Sequence, residues 1–159
     1  MIATAKALFS NDYVVKNEGL REDLYMMLGL EAKNLTIRQL ESAFWACTQK
    51  KRDFAEYLNE PYAKVLYKSL FSEVRKRGIS MKARGLAYVA NGLNNINYTS
   101  VDLDDEGMEI FDPHATLESL EKMIIAKIKD FTTHDLMKIM NAYYQMGAGS
   151  GNFYEVICH

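Results

Sequence analysis

The chain has 159 residues, 48% of them hydrophobic, and a formal net charge of -2, which suits one domain with a sizeable core. No apolar run approaches the roughly 20 residues that a membrane-spanning helix needs, and two cysteines, Cys47 and Cys158, supply no disulfide framework, so an integral membrane helix and a disulfide-stapled secreted scaffold are both excluded. The charge is divided along the chain: residues 61–100 hold seven basic residues and one acid, whereas residues 101–159 hold four basic and eleven acidic.

The first residues carry Lys6, no arginine and no acid before Asp12, a composition that gives a targeting peptide no support. Leu20, Leu24, Met27 and Leu28 then predict an amphipathic helix, closed by Gly29 in the left-handed conformation. Residues 1–34 are read as an N-terminal cap segment on a stack of helices that begins at residue 35.

Residues 35–46, Leu-Thr-Ile-Arg-Gln-Leu-Glu-Ser-Ala-Phe-Trp-Ala, recur in degenerate form as 79–90 and 131–142. Each copy sets an apolar residue before a Thr or Ser cap and a basic residue two places beyond it. The caps are read as Thr36, Ser80 and Thr132, at intervals of 44 and 52 residues. Repeat one spans 35–78. Its first helix turns Leu40, Ala43, Phe44 and Cys47 to one face. Its second begins near Pro61, buries Ala63, Leu66, Tyr67, Leu70, Phe71 and Val74, and closes on Arg75-Lys76-Arg77-Gly78.

Repeat two spans 79–130, and its first helix is rich in small residues: Ala83, Gly85, Ala87, Ala90 and Gly92. A glycine inside a helix costs about 1 kcal/mol against alanine, so the pair Gly85 and Gly92 predicts close approach of neighbouring helices on both sides. An acidic insertion, residues 98–113, interrupts the repeat as an exposed loop. The next helix is expected near Thr116, burying Leu117, Leu120, Ile124 and Ile128. Repeat three, 131–159, opens at Thr132 with Leu136, Ile139, Met140 and Tyr143 inward. The glycines of 147–151 turn the chain into the start of another helix, so the pattern closes on a half repeat or continues in a longer chain. The expected fold is all-α: a short, right-handed solenoid of antiparallel helix pairs, about three degenerate repeats in a single domain, 1–159.

Chemistry is sparse. Asp102-Leu103-Asp104-Asp105-Glu106-Gly107 matches the first half of a calcium loop, but Pro113 stands where the bidentate glutamate belongs. The glycine run 147–151 lacks the strand and lysine of a phosphate loop. His114, His134 and His159 share no metal-ligand spacing with the cysteines, and Cys47, on the apolar face of its helix, reads as a small buried hydrophobe. No catalytic residue, metal or cofactor is therefore assigned, and the chain is read as a non-enzyme. The one pattern that folding does not require is Arg38, Lys82 and His134 at matching repeat positions, where a cation opposes the helix dipole. With Arg75, Lys76, Arg77 and Arg84, these are the candidate partner-binding residues.

Helix starts of the type Phe131-Thr132-Thr133-His134-Asp135-Leu136, followed by Ala142-Tyr143, resemble organellar helical-hairpin repeat proteins across residues 35–154. These include the octotricopeptide-like and heptatricopeptide-like repeats and the leucine-rich helical regions of FAST-kinase-domain proteins. The resemblance implies a mitochondrial, matrix-side protein that either binds RNA or serves as an accessory subunit of a large assembly: a respiratory complex, ATP synthase or ribosome. A sequence pI near 5.9 and the missing RAP domain favour the subunit reading, in which the partners are other protein subunits and peripheral attachment to a membrane stays open. RNA binding through the basic residues is the alternative.

Overall fold

A computed structural model of the chain describes residues 18–48, 61–96 and 112–158. These residues form seven α-helices and no strand: α1 (Glu18–Glu31), α2 (Ile37–Thr48), α3 (Pro61–Arg77), α4 (Ala83–Asn95), α5 (Pro113–Ala126), α6 (Thr133–Met146) and α7 (Gly151–Cys158). No helix among them is long and apolar enough to cross a membrane. The half-match to a calcium loop, most of the acidic insertion and the N-terminal residues lie outside the described residues.

Local chemistry fixes where the helices begin. Three short 3-10 turns, Ala32–Asn34, Gly78–Ser80 and Ile128–Asp130, each lead into one apolar residue in extended conformation: Leu35, Met81 and Phe131. The next residue caps a helix. The Thr36 amide donates to the Gln39 side chain at 2.9 Å, and the Gln39 amide donates back to the Thr36 hydroxyl at 3.3 Å. Thr132 and Asp135 form the same reciprocal box, which satisfies two amides that the first helical turn leaves unpaired. Asp112 caps α5 through the Ala115 amide at 2.9 Å, with Pro113 in the first turn, so α5 starts three residues earlier than the expected Thr116.

The middle repeat departs from its predicted register. Ser80 lies inside the 3-10 turn, and the residue at the N-cap of α4 is Lys82, with no side-chain cap bond. Matching caps are therefore Thr36, Lys82 and Thr132, at intervals of 46 and 50 residues. The basic residue two places beyond each cap is accordingly Arg38, Arg84 and His134, and Arg84 takes the position assigned to Lys82.

Helix α4 packs on α2 along one flank and on α6 along the other, and α1, α3, α5 and α7 pack successively. Two rows of helices result, α2–α4–α6 and α1–α3–α5–α7, with cross-row contacts of α3 with α2 and of α5 with α4. The apolar periodicity assigns the core correctly for most elements. Leu40, Phe44, Ala63, Leu66, Leu70, Phe71, Val74, Leu117, Leu120, Ile124, Ile139 and Tyr143 are all fully buried. Ile128, expected in that core, sits in a 3-10 turn and is half-buried, as are Leu136 and Met140.

The same polar link joins the rows twice. Arg77, five residues before the cap of α4, donates through Nη2 to the Leu35 carbonyl at 2.7 Å. Lys127, five residues before the cap of α6, donates to the Met81 carbonyl at 2.6 Å. Both carbonyls belong to the apolar residue preceding a cap, where the chain leaves its 3-10 turn and has no helical partner to offer.

Glycines mark the closest approaches. A Cβ on Gly85 would collide with the Glu41 carboxylate, and one on Gly92 with the Thr48 hydroxyl and, at 3.0 Å, with the Phe44 ring. Both glycines therefore serve the α2 flank, not both flanks as the sequence suggests; on the opposite side of the helix stand the small residues Ala87 and Ala90, each fully buried. Gly29 does not end its helix either. It lies within α1, without positive φ, where a Cβ would come within 3.1 Å of the Leu66 Cα. Helix α1 consequently buries Tyr25 and Leu28, leaving Leu20 and Met27 exposed. Gly147, with φ 63°, does supply the left-handed end of α6.

Candidate functional site

The register of α2 against α4 builds an open cleft of about 490 Å³ lined by Arg38, Glu41, Ser42, Trp45, Arg84 and Tyr88. Arg38, Glu41, Ser42 and Trp45 rise from the first turns of α2 at three- and four-residue spacing, one helical face. Arg84 and Tyr88 are a turn apart on α4, and the Arg84 Nε donates to the Tyr88 hydroxyl at 2.9 Å. The Arg84 guanidinium also lies over that ring, its Cζ 5.5 Å from the centroid, and Lys138 of α6 brings a second cation to it, with Nζ 4.9 Å from the centroid. Trp45 approaches the same ring from α2, centroids 6.3 Å apart and planes inclined by 56°. Cations from three helices thus surround two adjoining aromatic rings.

Glu41 explains how the cleft floor is built. In α2 and α6 the third helical residue, Gln39 or Asp135, takes the cap residue's amide hydrogen bond; in α4 that position is Gly85, which has no side chain. The carboxylate of Glu41, reaching across from α2, fills the space over Gly85 and accepts the Lys82 amide. The cap of α4 is thus supplied by its neighbour. One oxygen, Oε1, is buried without a hydrogen-bond partner. Burial raises the Glu41 pKa above the ordinary carboxylate range, opposed by the Lys82 amide bond and the Lys82 and Arg38 charges.

A carboxyl whose folded pKa lies above its unfolded one favours the fold when protonated. Its contribution is complete below the unfolded pKa and is lost as pH rises through the folded value. Glu41→Gln keeps an acceptor for the Lys82 amide and removes the charge. The variant is expected to melt above wild type at neutral pH, with the gap closing as wild-type Glu41 protonates in acid. Equal melts across that range would show that the desolvation of Glu41 has no consequence for stability.

The other basic candidates separate. Lys76 lines a second cleft, about 380 Å³, between α1 and α3, together with Lys33, Lys68, Ser69, Ser72 and Glu73. Lys76 pairs with Glu73 at 3.7 Å. Arg77 is half-buried, paired with Glu73 at 3.6 Å and bound to the Leu35 carbonyl, so it is engaged in holding α3 to the turn before α2. Arg75 is half-buried and already has a partner. The run 75–77 therefore does not join Arg38 and Arg84 in one patch: successive helical residues diverge by about 100°, and α3 belongs to the other row. His134 is exposed at the start of α6, and Lys82 enters the α2–α4 site chiefly through its backbone. Trp45, Tyr88 and Lys138 are site residues that the sequence does not single out, since their convergence depends on which helices are neighbours.

Two further titratable groups among the described residues, Cys47 and Tyr143, are held by structural contacts. Cys47 is buried, its thiol pushed up to about 12 by desolvation, and its carbonyl accepts the Tyr67 hydroxyl at 2.9 Å. Tyr143 donates to the Leu117 carbonyl at 2.7 Å, and burial, with Glu121 and Glu118 nearby, drives its pKa upward. Among the described residues no three His, Cys, Asp or Glu side chains gather into a metal-binding group. A scan against family models finds no match to this chain, and comparisons with curated proteins and with solved structures find none either.

Proposed function

We propose that this chain is a non-catalytic interaction protein, a short solenoid of antiparallel helix pairs whose α2–α4–α6 row holds a partner protein. The observation that carries this reading is the α2–α4 cleft, where Trp45 and Tyr88 adjoin Arg38, Arg84 and Lys138. Aromatic and arginine side chains dominate the energetics of protein interfaces, and a partner segment combining a carboxylate with an apolar side chain would engage both. The two-row packing, the repeated caps and the repeated carbonyl links support the solenoid arrangement. The repeat resemblance supplies the proposed setting, an accessory subunit of a mitochondrial assembly such as a respiratory complex, ATP synthase or ribosome.

The test is native co-purification of tagged wild type beside a Trp45→Ala/Arg84→Ala variant. Both side chains lie at the cleft surface, so the variant should keep its helicity while losing its stoichiometric protein partners. An unchanged partner set in the variant would remove the cleft from the interface, and a wild type that runs only as a free monomer would sink the scaffold reading.

One observation favours RNA as a second reading: the Trp45–Tyr88 pair with its cations is the aromatic and basic interleaving on which single-stranded bases stack. The Glu41 carboxylate in the cleft and the separation of the 75–77 run from it weigh toward protein, because RNA needs a continuous cationic track. Affinity for single-stranded RNA across a salt series separates the two. Binding that weakens with salt and falls in an Arg38→Ala/Arg84→Ala variant promotes RNA; no binding at low salt removes it.

A further inference from the structure

With caps at Thr36, Lys82 and Thr132, each face of one first-row helix can be compared with the same face of the next. Helix α2 presents Glu41, Phe44 and Thr48 to α4, at five, eight and twelve residues beyond its cap, against Gly85 and Gly92. The matching residues of α4 are Ala87, Ala90 and Asn94, of which the two alanines are fully buried and, at 3.6 residues per turn, stand on the side of α4 opposite Gly85 and Gly92, the side left to α6. In α6 the matching residues are Met137, Met140 and Tyr144. Met137 is 66% exposed and Tyr144 75% exposed, among the most exposed large hydrophobic residues described, and Met140 between them is half-buried. The face that twice receives a helix is thus an open apolar stripe at its third occurrence.

The opposite face of the row carries the counterpart. Helix α6 buries Asp135, Ile139 and Ala142, at three, seven and ten residues beyond its cap, and its packing on α4 is among the most extensive in the structure. The matching residues of α2 are Gln39, Ala43 and Ala46: again a capping polar residue, an aliphatic one and an alanine. Position ten is small in all three helices, Ala46, Gly92 and Ala142, and at Gly92 that smallness admits the preceding helix. Gln39 is exposed and Ala46 half-buried, whereas Ala43 is already buried in the core of its own chain, and no first-row helix precedes α2 among the described residues.

We infer that a second copy of this chain docks head to tail, seating the accessible Gln39–Ala46 edge of its α2 on the Met137–Met140–Tyr144 stripe of the first and continuing the α2–α4–α6 row across the contact. The two surfaces are different patches of one molecule, so the contact is heterologous and leaves an open face at each end of the pair; association extends rather than closing at a dimer. An exposed run of large apolar side chains at helical spacing is the kind of surface that marks such a contact. The Arg38–Arg84 cleft takes no part in it.

Sedimentation of the full chain over a concentration series tests the inference. Wild type is expected to gain mass with concentration and to pass the dimer. Met137→Arg/Tyr144→Arg blocks one face and Ala46→Arg the other, so each variant alone should sediment as a monomer. Mixed, they retain one intact face of each kind and should form dimers that grow no further. Wild type that remains monomeric at every concentration overturns the inference, as does association that survives in either variant alone or a mixture that stays monomeric. Circular dichroism melts guard against loss of folding passing for loss of contact; should Ala46→Arg melt early, Gln39→Arg blocks the same face.

Discussion

Phe44→Ala is expected to lower stability by about 3–5 kcal/mol, a large share of the roughly 5–15 kcal/mol that holds an ordinary domain folded. Phe44 is fully buried where both rows meet. Its ring lies 5.7 Å from that of Phe71 on α3, and its edge rests against Gly92 of α4. Helices α3 and α4 therefore lose a common neighbour, and a cavity is left where they meet α2. Urea unfolding should show a lower midpoint with little change in slope. Met137→Ala, which truncates an exposed side chain, should stay within about 0.5 kcal/mol of wild type. The contact with Gly92 also predicts coupling. Gly92→Ala in wild type must displace Phe44 and Thr48 together, whereas in the Phe44→Ala background one of the two obstacles is gone and the added cost should fall. Additive effects would mean that Phe44 and Gly92 do not touch.

How far this structure is legible in its sequence depends on how local each cause is. The caps at Thr36 and Thr132 are legible because the hydroxyl and its capping partner lie within one turn. The cap of α4 is not: its amide partner is Glu41, 41 residues earlier, and a lysine at a cap looks like an error until Gly85 is seen to hold the neighbour's carboxylate. Ser80, a serine before a helical pattern, draws the repeat boundary to itself and shifts the register by two. That shift hides Arg84 behind Lys82 and conceals the match between Glu41-Phe44-Thr48 and Met137-Met140-Tyr144. Gly29 looks like a helix end in the sequence but lies within α1, where Leu66 of α3 comes close. Gly78 does follow the end of α3 at Arg77, yet it also lies against Leu120 and Met123 of α5, and a glycine records that something is close without saying what. The basic run 75–77 is plain in the sequence, yet its division between a structural link and a separate cleft depends on the helices' orientation. The cleft itself is half legible: Arg38 follows from the repeat and Arg84 is visible only as one more basic residue, while Trp45, Tyr88 and Lys138 carry no mark as single residues.

Ala87→Leu and Ala90→Leu should each destabilise the fold by roughly 1–3 kcal/mol through overpacking, although leucine suits a helix almost as well as alanine. Both alanines are fully buried on the flank where α4 meets α6, one of the most extensively packed helix pairs. On α6, Ile139 and Tyr143 are both at zero exposure, and Tyr143 is tied to α5 and α7 by its hydrogen bond to the Leu117 carbonyl and its stacking on Phe153, so α6 has little freedom to shift. A leucine on α4 would have to push α6 outward or force an unfavourable rotamer. Ala126→Leu is the matched control: the same change of side chain, in a helix, at an exposed position. Thermal melts should leave Ala126→Leu at wild type and lower both α4 variants, with the double variant lower still. Melts of Ala87→Leu and Ala90→Leu that coincide with wild type would mean that α4 is not held between two neighbours, and the continuous first row, with its open stripe on α6, would fail with them.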